Sequence, residues 1–191
     1  MAEARPLRAD ARRNRERVLD VASAAFAAEG LSVPLDEIAR RAGVGPGTLY
    51  RHFPTKESLF EAVVQDRLRR LVAEGAALRE SSDPGAAFFA FLDLVAAQAG
   101  PKRDLFEALS SAGVEVGLAV KAAADDLRDQ ITFLLDRAQA AGAVRADIGR
   151  ADLAALLSGM LFAMQGRPGV DRARVLAVFR DGLRPWPARG G

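Results

Sequence analysis

The only tyrosine of the chain, Tyr50, and its only histidine, His52, flank Arg51, with Thr48 just before them and Lys56 just after. On a short helix laid in the DNA major groove, exposed groups of these types read base edges near the helix N-terminus and anchor on phosphates with the rest. The same residues make a poor catalytic set. There is no cysteine, and the single histidine already belongs to this cluster. The acid pair Asp125-Asp126 consists of neighbours, which on a helix do not share a face. No phosphate loop or metal-ligand cluster appears. The expectation is no catalytic residue, no metal and no cofactor.

The elements that must position these groups lie in the stretch Leu35 to Lys56, LDEIARRAGVGPGTLYRHFPTK. Asp36 and Glu37 suit the first turn of a helix, where the dipole favours carboxylates. Leu35, Ile38, Ala39 and Ala42 follow helical spacing and mark a buried face, leaving Arg40 and Arg41 outside it. Gly43 supplies the helix C-cap. Gly45 can cap the next helix, and Pro46 at its first position loses no needed hydrogen bond. Two short helices joined across a glycine turn form a helix-turn-helix, whose second helix enters the major groove. At its start Pro46 and Gly47 carry no long polar groups, so Thr48 and Arg51 are the nearest base readers on this helix. Arg40, Arg41, the N-terminal arginines and DNA shape are further sources of specificity. Residues 1–11 lack periodicity and read as disordered; Arg5, Arg8, Arg12, Arg13 and Arg15 make a basic arm that would contact phosphates or reach the minor groove, with a solubilising tail as the alternative.

Composition sets the wider frame. Residues 1–56 carry 10 Lys and Arg against 7 Asp and Glu, a net +3, whereas residues 57–191 carry 17 against 18, a net −1. The positive end therefore coincides with the helix-turn-helix. No signal-peptide pattern opens the chain and no apolar run is long enough to span a bilayer, so the expectation is a soluble, cytoplasmic protein. Helical periodicity continues to the end with no credible strand. Helices are expected over about 12–29, 56–79, 102–111, 118–142, 150–165 and 171–183. Another, carrying Phe88, Phe91, Leu92 and Val95, follows the break at 81–85. The predicted fold is all-α with about nine helices: residues 1–55 as arm and DNA-binding domain, residues 56–191 as a larger helical domain.

This stretch resembles the DNA-binding core of the TetR/AcrR family of transcriptional regulators. The resemblance is carried by Gly30, Ile38, Ala39, Ala42, Gly43, Val44, Gly47, Thr48, Leu49, Tyr50, His52, Phe53, Lys56, Glu57 and Leu59, over roughly the first third of the chain. Pro34 and Gly45 depart from it, standing where the family has a capping threonine and a capping serine, each worth about 1 kcal/mol. The resemblance implies phosphate contacts by Tyr50, His52 and Lys56, and a phosphate or thymine-methyl contact by Thr48. It also implies a small-molecule effector pocket in the larger domain, for which Phe88, Phe91, Leu92, Val95, Phe106, Leu109, Gln130, Phe133 and Leu134 are candidates beside a plain core role. It further implies a homodimer through the last two helices, with Leu153, Leu156, Leu157, Met160, Leu161, Met164, Val175, Val178 and Phe179 as interface candidates, reading a palindromic operator in double-stranded DNA. The function implied is a repressor released from DNA by its effector. An effector-independent architectural DNA-binding protein is the alternative.

Overall fold

The computed structural model describes residues 4–98, 117–164 and 169–186, and among these it contains only helices, turns and irregular chain. Eight α-helices follow in order: α1 Ala4–Glu29, α2 Leu35–Ala42, α3 Pro46–His52, α4 Lys56–Ala77, α5 Pro84–Gln98, α6 Leu118–Ala140, α7 Arg150–Ala163 and α8 Arg172–Leu183. The short helix expected over 102–111, with Phe106 and Leu109, lies outside the described residues. The chain divides into two compact units, Met1–Leu68 with Lys102–Ala123, and Arg69–Pro101 with Ala124–Gly191.

The first unit is organised by α1. Its Val18, Leu19, Ala22, Ala25 and Phe26 are buried at helical spacing, so one stripe faces inward. Contrary to the expected disordered arm, α1 starts at Ala4. The Ala, Leu and Arg residues ahead of Arg12 are strong helix formers, and Pro6 falls in the first turn, where a missing N–H costs nothing. Gly30, at φ +69°, ends the helix in a 3-10 turn, Gly30–Ser32. Against the α1 stripe pack Leu35, Ile38, Ala39 and Ala42 of α2, Leu49 of α3, Phe53, and Leu59, Phe60 and Val63 of α4. The Phe26 and Phe60 rings meet edge-to-face with centroids 5.8 Å apart. Each large side chain buried here contributes about 1.5–3 kcal/mol, which lets α2 and α3 exist although each is too short to be stable alone. A reciprocal cap starts α4: the Ser58 N–H donates to Thr55 Oγ1 (3.1 Å) and the Thr55 N–H to Ser58 Oγ (3.2 Å). From α4, Glu61 accepts the Gly117 N–H at 3.2 Å, and Gln65 Nε2 donates to the Ala119 carbonyl at 3.3 Å, which ties down the start of α6.

The second unit has its own core. Phe88, Phe91, Leu92, Leu134, Leu135 and Leu153 are almost completely buried in it, joined by Leu71 of α4 and Leu183 of α8. Gln130 is buried among them, and its Nε2 donates to the Gly75 carbonyl at 2.9 Å. Gly75 is required there: a Cβ would stand 2.6 Å from Gln130 Cγ and 2.7 Å from Phe91 Cε2. Arg137 closes the end of α4 by donating to the Arg79 carbonyl and, at 3.0 Å, to the Ser81 carbonyl. Arg180 of α8 pairs with Asp93 of α5 at 2.7 Å. No helix among the described residues is long and apolar enough to cross a membrane.

Candidate nucleic-acid interface

Local backbone chemistry builds the helix-turn-helix. Gly43 sits in the left-handed region at φ +63°, and its N–H closes α2 on the Ala39 and Arg40 carbonyls. Gly45 is extended, and Pro46 opens α3. Neither Pro34 nor Gly45 supplies a side-chain cap. On α2 the acids Asp36 and Glu37 in the first turn and the arginines in the last turn complement the helix dipole instead. Because Leu49 and Phe53 are buried, Pro46, Gly47, Tyr50, Arg51 and His52 are exposed and Thr48 is half-buried. The exposed positions fall into two faces. One carries Pro46, Gly47 and Tyr50. The other carries Thr48, Arg51 and His52, at the three- and four-residue spacing that aligns side chains along a helix.

Several of the sequence-predicted contact residues already have partners within the chain. Arg40 grips Glu37 with two hydrogen bonds of 2.7 Å. Arg41 reaches Glu37 at 2.7 Å and also pairs with Glu29 at the end of α1. Hydrogen bonds from Arg40 and then Arg41 hold the Glu37 carboxyl down to about 2 from its ordinary 4.5. The Tyr50 hydroxyl bonds to Asp36, which raises its pKa above the ordinary value of 10.0. Lys56 Nζ donates to the Leu31 carbonyl at 2.6 Å, tying the start of α4 to the 3-10 turn. On α1, Arg12 pairs with Glu16 at 3.6 Å and Arg13 with Asp10, both near the surface.

A recess of about 270 Å³ lies between α1 and α3. Val18, Val44, Leu49 and Phe53 form its apolar floor, and Asp10, Asn14, Arg15, Thr48, Arg51 and His52 its polar lining. The Arg15 guanidinium lies 5.8 Å from the centre of the Phe53 ring, and the His52 ring lies 6.3 Å from it. Arg15 belongs to the basic arm expected from the sequence, whereas Asn14 was not singled out there; its position four residues before buried Val18, at helical spacing, was the available signal.

In the second unit, the candidate pocket residues Phe88, Phe91, Leu92, Val95, Gln130 and Leu134 are buried in the core and Phe133 is half-buried, with the Arg79 guanidinium 3.9 Å from its ring centre. The candidate dimer residues divide. Leu153, Leu157, Met160 and Met164 are buried within their own chain. Leu161, Val175 and Phe179 are partly buried against the same core. Leu156 and Val178 remain 49% and 67% exposed, and Phe162, absent from the sequence-based set, is 50% exposed. Among the described residues no group of three or more His, Asp or Glu is placed to hold a metal.

Comparison with known proteins agrees with this geometry. Residues 18–63 match the bacterial regulatory proteins of the tetR family, and residues 83–185 match the C-terminal domain described as transcriptional regulator SbtR-like. The crystal structure of a TetR transcription regulatory protein from Mycobacterium vanbaalenii is 46% identical, with a TM-score of 0.76, over 94% of this chain and 100% of that one. A TetR transcriptional regulator from Streptomyces coelicolor is 35% identical, with a TM-score of 0.73, over 90% of this chain and 98% of that one. An HTH-type transcriptional regulator of Staphylococcus aureus is 42% identical over 60 residues, 31% of this chain. The chain spans about a third (32%) of the length of that curated relative. The exposed α3 on its buried footing, the matches at both ends of the chain and the full-length likeness to the mycobacterial regulator lead to one assignment: the chain belongs to the TetR family of DNA-binding transcriptional regulators and has an SbtR-like C-terminal domain.

Proposed function

We propose that the protein is a homodimeric repressor that places α3 of each subunit in successive major grooves of a palindromic operator and leaves when a small-molecule effector binds. The observation that carries the DNA-binding part is the outer surface of α3: Pro46, Gly47, Tyr50, Arg51 and His52 exposed over buried Leu49 and Phe53. Half-sites about 34–36 Å apart, or a multiple of that, fit two such helices. In this reading Thr48, Tyr50, His52 and Lys56 anchor on the sugar-phosphate backbone, with Arg12, Arg13, Arg40 and Arg41 as further hydrogen-bond donors around them. The division of labour is residues 1–55 for DNA and residues 56–191 for effector and partner.

The exposed apolar side chains of α7 and α8, Leu156, Phe162 and Val178, support a helix-to-helix dimer contact, and the exposed small residues Ser158 and Gly159 on α7 allow close approach. The aromatic-rich second unit, with Phe88, Phe91 and Phe133, suits an uncharged, lipophilic effector that acts by favouring a subunit arrangement unable to match successive grooves. A genomic-fragment selection with the purified full chain tests the proposal. Enrichment of a palindrome is the expected result. Salt-sensitive binding with no enriched sequence would overturn it in favour of an architectural DNA-binding protein.

A further inference from the structure

The recess between α1 and α3 gathers hydrogen-bond-donating side chains from two helices. Arg15 comes from α1, and Arg51 and His52 come from the face of α3 that also carries Thr48. The one carboxylate in the lining, Asp10, is already paired with Arg13. Neither Arg15 nor Arg51 has a hydrogen-bond or ion-pair partner among the described residues. That sets them apart from Arg40, Arg41 and Lys56, which all do. Two guanidiniums without a hydrogen-bond or ion-pair partner among the described residues, over an apolar floor, suit a tetrahedral oxyanion, because each planar fork presents parallel N–H groups to two oxygens.

We propose that this recess seats a single DNA backbone phosphate, held jointly by Arg15 of α1 and by Arg51 and His52 of α3. The proposal rests on the DNA-binding reading above and sharpens it. Arg51 then anchors and does not read, so the base-reading role expected for it from sequence passes elsewhere. What remains to face the base edges is the exposed start of α3, Pro46 and Gly47. These favour contacts with thymine methyls and recognition of groove shape over bidentate hydrogen bonding. Arg15 becomes a DNA ligand contributed from outside the helix-turn-helix.

The test measures binding of the full-length chain to two labelled duplexes, the best site from the genomic selection and a mixed-sequence control, across a range of salt concentrations. Arg15→Gln and Arg51→Gln should each weaken binding to both duplexes by the same factor and leave the selected base preferences unchanged. The double variant should flatten the dependence of log K on log salt by about 0.9 per bound subunit, the value for one phosphate. Arg15→Lys should keep the wild-type slope. A loss near 1.8 in the double variant would mean two separate phosphates and would overturn the shared site. So would an unchanged slope, or a shift in base preference in Arg51→Gln. Inorganic phosphate at constant ionic strength distinguishes the free anion as the occupant: a melting-temperature rise that disappears in Arg15→Gln, while Arg15→Gln leaves binding to both duplexes unchanged, would make the recess a free-anion site and overturn its assignment to DNA. Failure of the wild-type chain to bind either duplex would overturn the proposed function itself, whereas the variant comparisons bear on the recess alone.

Discussion

Replacing Gly75 with alanine sets two physical effects against each other. Gly75 lies within α4, where Gly→Ala favours the helix by about 1 kcal/mol on intrinsic propensity. The added Cβ, however, would lie 2.6 Å from Gln130 Cγ and 2.7 and 2.8 Å from Phe91 ring atoms. Phe91 is fully buried and Gln130 is 4% exposed, so neither can swing into solvent. Overpacking of this kind costs about 1–3 kcal/mol. Displacing Gln130 also removes its hydrogen bond to the Gly75 carbonyl, and a buried amide left unpaired costs about another 1–3 kcal/mol. The net expectation is a loss of about 1–5 kcal/mol. At the middle of that range, near 3 kcal/mol, the melting temperature of a chain this size falls by about 6–12 °C. Urea denaturation of Gly75→Ala beside wild type measures it directly. Gly75→Ala with Phe91→Leu should recover part of the loss by giving the methyl room. A variant as stable as wild type, or more so, would refute the packing argument, because propensity alone would then have decided the outcome.

A Cβ at Gly159 meets nothing within 4 Å in its own chain, so Gly159→Ala should stabilise the dilute chain by up to about 1 kcal/mol yet weaken self-association in sedimentation; unchanged association would place the dimer contact elsewhere. Leu156→Glu should split the proposed dimer while keeping the helical circular dichroism signal, whereas Leu157→Glu buries a charge in the core and should unfold the chain at any concentration. The Glu37 carboxyl is held below its ordinary 4.5, at about 2, so its contribution to stability is complete above 4.5 and is lost as the pH falls towards 2. The melting-temperature gap between wild type and Glu37→Gln should therefore be present at neutral pH and shrink in that acid window; a gap that widens there would contradict the assigned ion pairs.

The helix-turn-helix was legible because its signals are local. A left-handed glycine at Gly43, a first-position proline at Pro46 and the spacing of Leu35, Ile38, Ala39 and Ala42 all act within a turn or two, and each appears in the structure as expected. The start of α1 was missed because an alanine- and arginine-rich run shows no apolar period, although its residues favour helix. Partners reached across tertiary contacts were beyond periodicity. Glu29 with Arg41, Asp36 with Tyr50 and Leu31 with Lys56 are brought together only once the helices pack. On α7 an apolar residue occurs on nearly every side, so spacing alone could not separate Leu157, which faces its own core, from Leu156, which does not.

The ion pairs of Arg40 and Arg41 with Glu37 and Glu29 also bear on how the protein finds its target within a genome. Random chromosomal DNA is a competitor of some 10⁶–10⁹ weak sites, on the order of one per base pair, and attraction to it is almost entirely electrostatic. Arginines already neutralised by neighbouring carboxylates lend little to that generic pull. In the proposed repressor, residence on arbitrary sequence is then brief, fewer molecules are held on decoys, and a small number of copies can keep a single operator occupied.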